Sequence, residues 1–256
     1  MSRTIAVRRQ RQISQALDVS GSVSVADLAD SLGVSRETIR RDLKLLASEG
    51  RANLVHGGAA KADAAEPSLA SRASANVQGK AAIGREAAKL VEEGMVVLID
   101  SGSTTFGLGA ALTGRTALTV LTNSLPIALL LCRSPGIKVI MLGGEIDAND
   151  EAAFGVDTLA ALGHFRVDLA FIGAGGISEE GEITDYSRLA AEQRHLMMKA
   201  GRRVYVLADH GKFGRSTPIR IAPVPQIAGL IVDKAPPASI ARAAAERHWR
   251  IIIAKG

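Results

Sequence analysis

A single cysteine, Cys132, excludes an internal disulfide and any cluster of thiolate metal ligands. It lies in the apolar run IALLLC, which predicts a buried, core-filling thiol. The five histidines are dispersed with no H-x-x-x-H pair, so no metal centre is assigned. No stretch approaches the ~18 apolar residues of a membrane span. The amino terminus, MSRTIAVRRQRQ, carries positive charge but no apolar h-region, which argues against a secretory signal and for a cytoplasmic protein. There is no G-x-G-x-x-G, since GLGAAL ends in Leu inside a helical pattern, and no G-x-S-x-G nucleophile elbow. No catalytic residue, metal or cofactor is therefore assigned. Aromatic residues are few at 3%, whereas Ala and Gly abound, a balance that suits helices packed closely on a sheet.

What is present is enough chain for two domains: 256 residues, 47% of them hydrophobic and 22% charged, as in an ordinary globular protein. The net charge of +5 is unevenly spread. Residues 1–60 hold nine Lys/Arg against six Asp/Glu, whereas the remaining 196 residues hold 22 against 20.

That basic front end has a recognisable order. A first helix is predicted over Thr4–Leu17, burying Ile5, Ile13 and Leu17. Ser24 opens a capping-box pattern ahead of Val25, Leu28, Ala29 and Leu32, and Gly33 supplies the positive φ that ends this short helix. Ser35 caps the next, VSRETIRRDLKLLASEG, in which Ile39, Leu43 and Leu46 form one stripe. Two short helices across a tight turn make a helix-turn-helix, whose second helix enters the major groove of double-stranded DNA. RANLVHGGAA then makes a small wing with its turn at Gly57-Gly58, expected to cover Leu45.

Opposite the apolar stripe stand Arg36, Arg40, Arg41 and Lys44, with Glu37 and Asp42 to offset them. Arg41 and Glu37 point furthest from the stripe, with Thr38 beside them, and are the candidates for base edges. Arg suits guanine because its planar fork meets O6 and N7 together. Glu37 either accepts from cytosine N4 or pairs with Arg41 one turn on. Arg36, Arg40 and Lys44 flank them and are assigned to phosphates. The pattern V-S-x-x-T-I-R-R-D-L followed by H-G-G-A resembles the amino-terminal domain of DeoR-type bacterial transcriptional regulators. The resemblance adds Ser35 and His56 to the DNA-binding candidates. One departure is Leu54, where members often carry Arg.

Residues 59–78, Ala/Ser-rich and containing Pro67, read as a linker between a DNA-binding domain at 1–58 and a larger domain at 79–256, with an Ala content that allows it to be part helix. From Lys80 onward, apolar strands (MVVLID, LTVLTN, KVIMLGG, VDLAFIG, RRVYVLAD, IAGLIVD, and an edge strand RIIIA) alternate with helices. The fold class is thus α/β, a mostly parallel sheet covered on both faces. Ligands of such sheets bind beyond the carboxyl ends of the strands. The residues that follow the strands there are DSGSTT, TNS, GGE, GAGGIS and DHGKFGR, each small or polar. SGSTT opening a helix offers amides, hydroxyls and a dipole end to a phosphate, and Lys212 adds a mobile positive charge. Asp100 and Asp185 accept from sugar or polyol hydroxyls, or cap a helix and hold a turn; Asn123 both donates and accepts. His210 beside Asp209 and Lys212 is the one polar cluster that suggests catalysis.

IDSGSTT, LTVLTNSLPIA, LGGE, VDLAFIGAGGIS and LADHGKFGR resemble the sensor domain of the same DeoR-type family, which is similar to ribose-5-phosphate isomerase and related folds. The resemblance implies a winged helix-turn-helix repressor of sugar or polyol catabolism, assembled as a homodimer or homotetramer and released from its operator by a phosphorylated sugar or polyol. Matching positions place Asp100, Ser101, Gly102, Ser103, Thr104, Thr122, Asn123, Gly143, Gly144, Asp185 and Lys212 around that effector. TDY, DHGKFGR and DKAPPASI are similar to the glycerol-3-phosphate regulon repressor branch. The competing expectation is a sugar-phosphate isomerase or transferase with an appended DNA-binding domain, using Asp100, Asp185 and Lys212 as acid-base groups.

Overall fold

The computed structural model describes residues 2–20, 22–48, 52–55, 57–61 and 66–255. The chain divides into two compact units, residues 1–67 and 68–256.

The first unit runs α1 (Ser2–Ser20), β1 (Ser22–Ser24), α2 (Val25–Leu32), α3 (Arg36–Ser48), β2 (Ala52–Val55) and β3 (Gly58–Lys61). The expected caps form. Ser24 Oγ accepts from Asp27 N at 3.1 Å, Gly33 closes α2 at φ 63°, and Ser35 Oγ accepts from Thr38 N at 3.2 Å. Ile13, Leu17, Val25, Leu28, Ile39, Leu43 and Leu46 form one buried cluster, so the stripe read on α3 faces α1 and α2. Three details differ from expectation. Val55 pairs with Gly58, so Gly58 belongs to strand β3 and not to the wing turn. Strand β1, too short to show a period, joins the wing to give the order β1-β3-β2. Leu45 remains 43% exposed, so it is only partly covered. The side chain of Ile5 lies outside the described residues.

The second unit begins with α4 (Leu69–Ser74) and α5 (Val77–Ala88); within the stretch read as a linker, 59–61 belong to β3 and 69–74 and 77–78 are helical, the part-helix that its Ala content allows. Charged side chains hold it in place. Arg72 makes a partly buried ion pair with Asp150, and Leu69 N donates to Asn149 O at 2.8 Å. Lys80 Nζ donates to the carbonyls of Arg72 and Ala75, closing the end of α4, and its burial pushes the ammonium pKa down.

There follow β4 (Val96–Ile99), α6 (Ser103–Ala111), β5 (Leu118–Thr122), α7 (Leu125–Leu131), β6 (Ile137–Met141), β7 (Glu145–Asp147), β8 (Ala152–Phe154), α8 (Val156–Leu162) and β9 (Val167–Ile172). The chain ends through β10 (Gly176–Ile177), β11 (Ile183–Asp185), α9 (Arg188–Ala200), β12 (Gly201–Ala208), β13 (Ile219–Arg220), β14 (Ile227–Val232), α10 (Ala238–Glu246) and β15 (Arg250–Ile253). Seven of these strands form one parallel sheet in the order β15-β14-β12-β9-β4-β5-β6, with β15 at an edge.

Side chains alternate between the two faces of the sheet. Val97, Ile99, Phe171 and Leu207 pack with Ile83, Leu108 and Ile127 from α5, α6 and α7. Leu98, Ile172, Val206 and Leu230 pack with Leu162, Met197 and Ile240 from α8, α9 and α10. Burying a side chain of this size stabilises by about 1.5–3 kcal/mol.

The GLG of GLGAAL serves packing. A Cβ on Gly84 of α5 would collide with the backbone of Gly107 of α6, so the two helices touch main chain to main chain. Cys132 departs from expectation: Ile127 and Leu131 turn inward, Cys132 lies one position past that stripe, and its thiol is exposed, 3.4 Å from Leu129 O. Among the described residues no helix is long and apolar enough to cross a membrane.

Candidate functional site

Two places carry unassigned chemistry, one in each unit. On α3, Ser35, Arg36, Glu37, Arg40, Arg41 and Lys44 are exposed and Thr38 is half-buried. The acids are arranged differently from the sequence expectation. Asp42 is buried and accepts from Arg9 Nε and Gln10 Nε2 of α1, so it offsets nothing on the outer face. Glu37 lies 3.7 Å from Arg40, not against Arg41. The outward surface thus presents Arg36, Arg40, Arg41 and Lys44 with Glu37 as its one described acid among those candidates. Ser35 and Thr38 also share a hydroxyl contact of 2.9 Å, which ties both to the helix cap. Leu54 is 51% exposed on the wing. His56 lies outside the described residues.

The second place is the carboxyl edge of the sheet. Strand order reverses at β4, with β9 on one side and β5 on the other, and a crevice opens at such a point. Asp100 and Ser101 follow β4, Asn123 follows β5, and Gly173 follows β9. Ser101 N donates to Asn123 Oδ1 at 2.9 Å, and Gly173 N donates to Asp100 Oδ2 at 3.0 Å. Asn123 Nδ2 reaches Ala153 O of β8 at 3.3 Å, and Ala153 N donates back to Asn123 O at 2.8 Å. Gly102, at φ 138°, stands at the amino end of α6, which has no side-chain cap; Ser103 and Gly102 remain half-exposed there. An uncapped helix start presents its amides and a partial positive charge to an anion.

Arg194 is the residue that sequence reasoning missed. It is 4% exposed on α9; its Nε donates to Asp100 Oδ2 at 2.7 Å and its Nη1 binds Asp185 Oδ2. Asp185 Oδ1 meanwhile accepts from Tyr186 N and Ser187 N. Both oxygens of Asp185 are therefore engaged, in keeping with the turn-holding role that its sequence position left open beside hydroxyl binding. Burial pushes the Asp100 carboxyl pKa up, although the Arg194 charge pulls it the other way. A signal did exist. Ala190, Ala191, Met197 and Met198 mark the buried stripe of α9, and an Arg at position 194 falls on that stripe.

The other expected residues divide. Lys212 stands on a 3-10 turn after β12, and its Nζ donates to Gly175 O at 3.2 Å, at the end of β9. Thr104 and Thr122 are buried, and Thr122 Oγ1 accepts from Ser124 N within its own turn. Gly143 O takes the Thr158 hydroxyl of α8, and Gly144 at φ 140° lies so close to Phe154 and Thr158 that no side chain fits. His210 is not clustered with Asp209 and Lys212. Its Nδ1 is 2.6 Å from Asp233 after β14, and Asn76 binds the same carboxylate at 2.8 Å. Asp209 instead accepts from Gly211 N and shapes the turn. A separate cavity of about 480 Å³ opens between α4, α5 and α6, bounded by Val77, Lys80 and Phe106; it touches the strand-end loops through Ser103.

The sequence comparisons divide the chain into the same two parts. Residues 9–65 match the DeoR-like helix-turn-helix domain, and residues 75–234 match the DeoR C-terminal sensor domain. The HTH-type transcriptional regulator GolR of Listeria innocua is 33% identical over 88% of this chain and 89% of its own. The glycerol-3-phosphate regulon repressor of Escherichia coli K12 is 28% identical over 95% of this chain and 97% of its own. Among solved structures, ribose 5-phosphate isomerase A of Methanocaldococcus jannaschii aligns with a TM-score of 0.39 at 22% identity, over 54% of this chain and 55% of that one. That overlap is too partial to carry an argument.

Proposed function

Because the chain belongs to the DeoR family, whose helix-turn-helix and sensor domains it carries in order, we propose that it represses sugar or polyol catabolism genes and is released by a phosphorylated sugar or polyol. The observation that supports this reading most is the uncapped start of α6, with Gly102 and Ser103 half-exposed at the crevice where strand order reverses. It suits a phosphate group, and Lys212 adds positive charge at the neighbouring strand end. A relative named for the glycerol-3-phosphate regulon supports a phosphorylated polyol as the chemical class.

On the DNA side, Arg41 and Glu37 read base edges, while Arg36, Arg40 and Lys44 hold phosphates. A homodimer or homotetramer sets two recognition helices about 34 Å apart, one turn of duplex. The effector favours one arrangement of the sensor domains over another, and release equals that differential affinity, about 1–3 kcal/mol for typical couplings.

The isomerase reading loses support from Arg194. Of the two carboxylates that reading uses, Asp185 already has both oxygens engaged by Arg194 and by backbone amides. The deciding experiment is a thermal-shift screen of the full chain against phosphorylated sugars and polyols, followed by gel shifts on operator DNA. A ligand at about 100 times its Kd adds roughly 2.7 kcal/mol of stability, which a melting curve resolves. A compound that stabilises the protein and loosens the DNA complex is expected; turnover of such compounds at appreciable rate would reverse the assignment.

A further inference from the structure

Two neutral groups at the strand ends lack the partners that their burial demands. Gln193, 1% exposed, precedes Arg194 on α9, and its Nε2 donates at 3.1 Å to Ala153 O, the oxygen that Asn123 Nδ2 also reaches. That donation fixes the amide, because turning it over would set Oε1 against a carbonyl. The Oε1 atom is buried, and no described residue donates to it. Thr217, 6% exposed, presents the second group. Its N donates to Thr184 Oγ1 at 3.0 Å, but its own hydroxyl has no partner among the described residues. It lies 3.2 Å from where a Cβ would stand on Gly175, whose carbonyl receives Lys212. Buried polar atoms are almost always satisfied, and each exception calls for an explanation.

We propose that Gln193 and Thr217 contact the effector and receive its hydroxyl-bearing part, while its anionic end lies at the start of α6. The inference rests on reading the strand-end loops as the effector site. The chemistry sets the orientation. A Gln Oε1 only accepts, so it repels an anion and needs an O–H. The amides at the start of α6 attract an anion. The ligand class that meets both ends is a phosphate ester with a free hydroxyl beyond the ester carbon.

Thr217→Val tests this in the full chain, since it removes the hydroxyl and leaves the shape. An atom unpaired in the free protein costs nothing to delete, so the ligand-free melting point should hold or rise. Calorimetry with glycerol 3-phosphate, ribose 5-phosphate and inorganic phosphate should then show whichever ester binds the wild type weakened roughly three- to tenfold by Thr217→Val and by Gln193→Met. Affinity for inorganic phosphate should not change. A lowered ligand-free melting point for Thr217→Val, or an ester held equally by wild type and both variants, overturns the proposal alone. Binding of none of the three to the wild type removes the effector reading beneath it.

Discussion

Helix α3 and the carboxyl edge of the large sheet each carry arginine, and they use it in opposite ways. On α3, Arg36, Arg40 and Arg41 extend into solvent. At the sheet edge, Arg194 is enclosed between two carboxylates. An exposed charge is hydrated in the free protein and gives up little when it is removed. It is therefore available to a polyanion, whose condensed counterions it displaces. A buried charge is stable only with its partners, so its first task is to hold the loops that carry them. The same residue type thus reports recognition in one unit and architecture in the other.

The largest effect that would test this contrast is Arg194→Met. Two buried carboxylates would lose their counterion, and denaturant unfolding should show a loss of about 3–5 kcal/mol. A variant as stable as wild type would mean that Asp100 and Asp185 do not depend on it. Next, Arg41→Ala should cost about 1–3 kcal/mol of specific operator affinity and relax base preference at one position, read by gel shifts on substituted sites. Lys212→Ala should raise the effector concentration needed for release about tenfold, the weight of one charge-assisted hydrogen bond, with the effector-free gel shift unmoved. Release at the wild-type concentration would exclude Lys212 from the effector contacts. Lys44→Ala should weaken all sequences alike and reduce the salt slope by about one. Smallest of all, Arg40→Ala should change folding stability by no more than about 0.5 kcal/mol, which denaturation of the DNA-free protein would check.

The contrast also governs what could be read from residues alone. The caps Ser24 and Ser35, the ending at Gly33 and the stripe Ile39–Leu43–Leu46 are local, each set within one helical turn, and all form as expected. The parallel strands are equally legible, because strands buried on both faces are continuous apolar runs. What escaped depends on partners far along the chain. Arg194 meets Asp100 across 94 residues, and Asp42 turns inward to meet Arg9 across 33. Hairpin β7–β8 and strand β1 are three-residue strands, too short to show a period. The helical part of the stretch 59–78 is fixed in the same distant way by Arg72 on Asp150, and locally by Lys80 on the carbonyls of Arg72 and Ala75, neither of which leaves an apolar stripe. In the candidate effector site the strand-end positions could be listed in advance, but the distinction between groups facing a ligand and groups holding one another could not.

The junction of Gly84 with Gly107 has a mechanical meaning. With no side chain between them to compress or rotate, α5 and α6 behave there like two keyed shafts, and sliding one drags the other. The start of α6 is the Ser-Gly-Ser turn, and the start of α5 is Asn76, docked on Asp233. A single methyl at the notch would have to wedge the two helices apart.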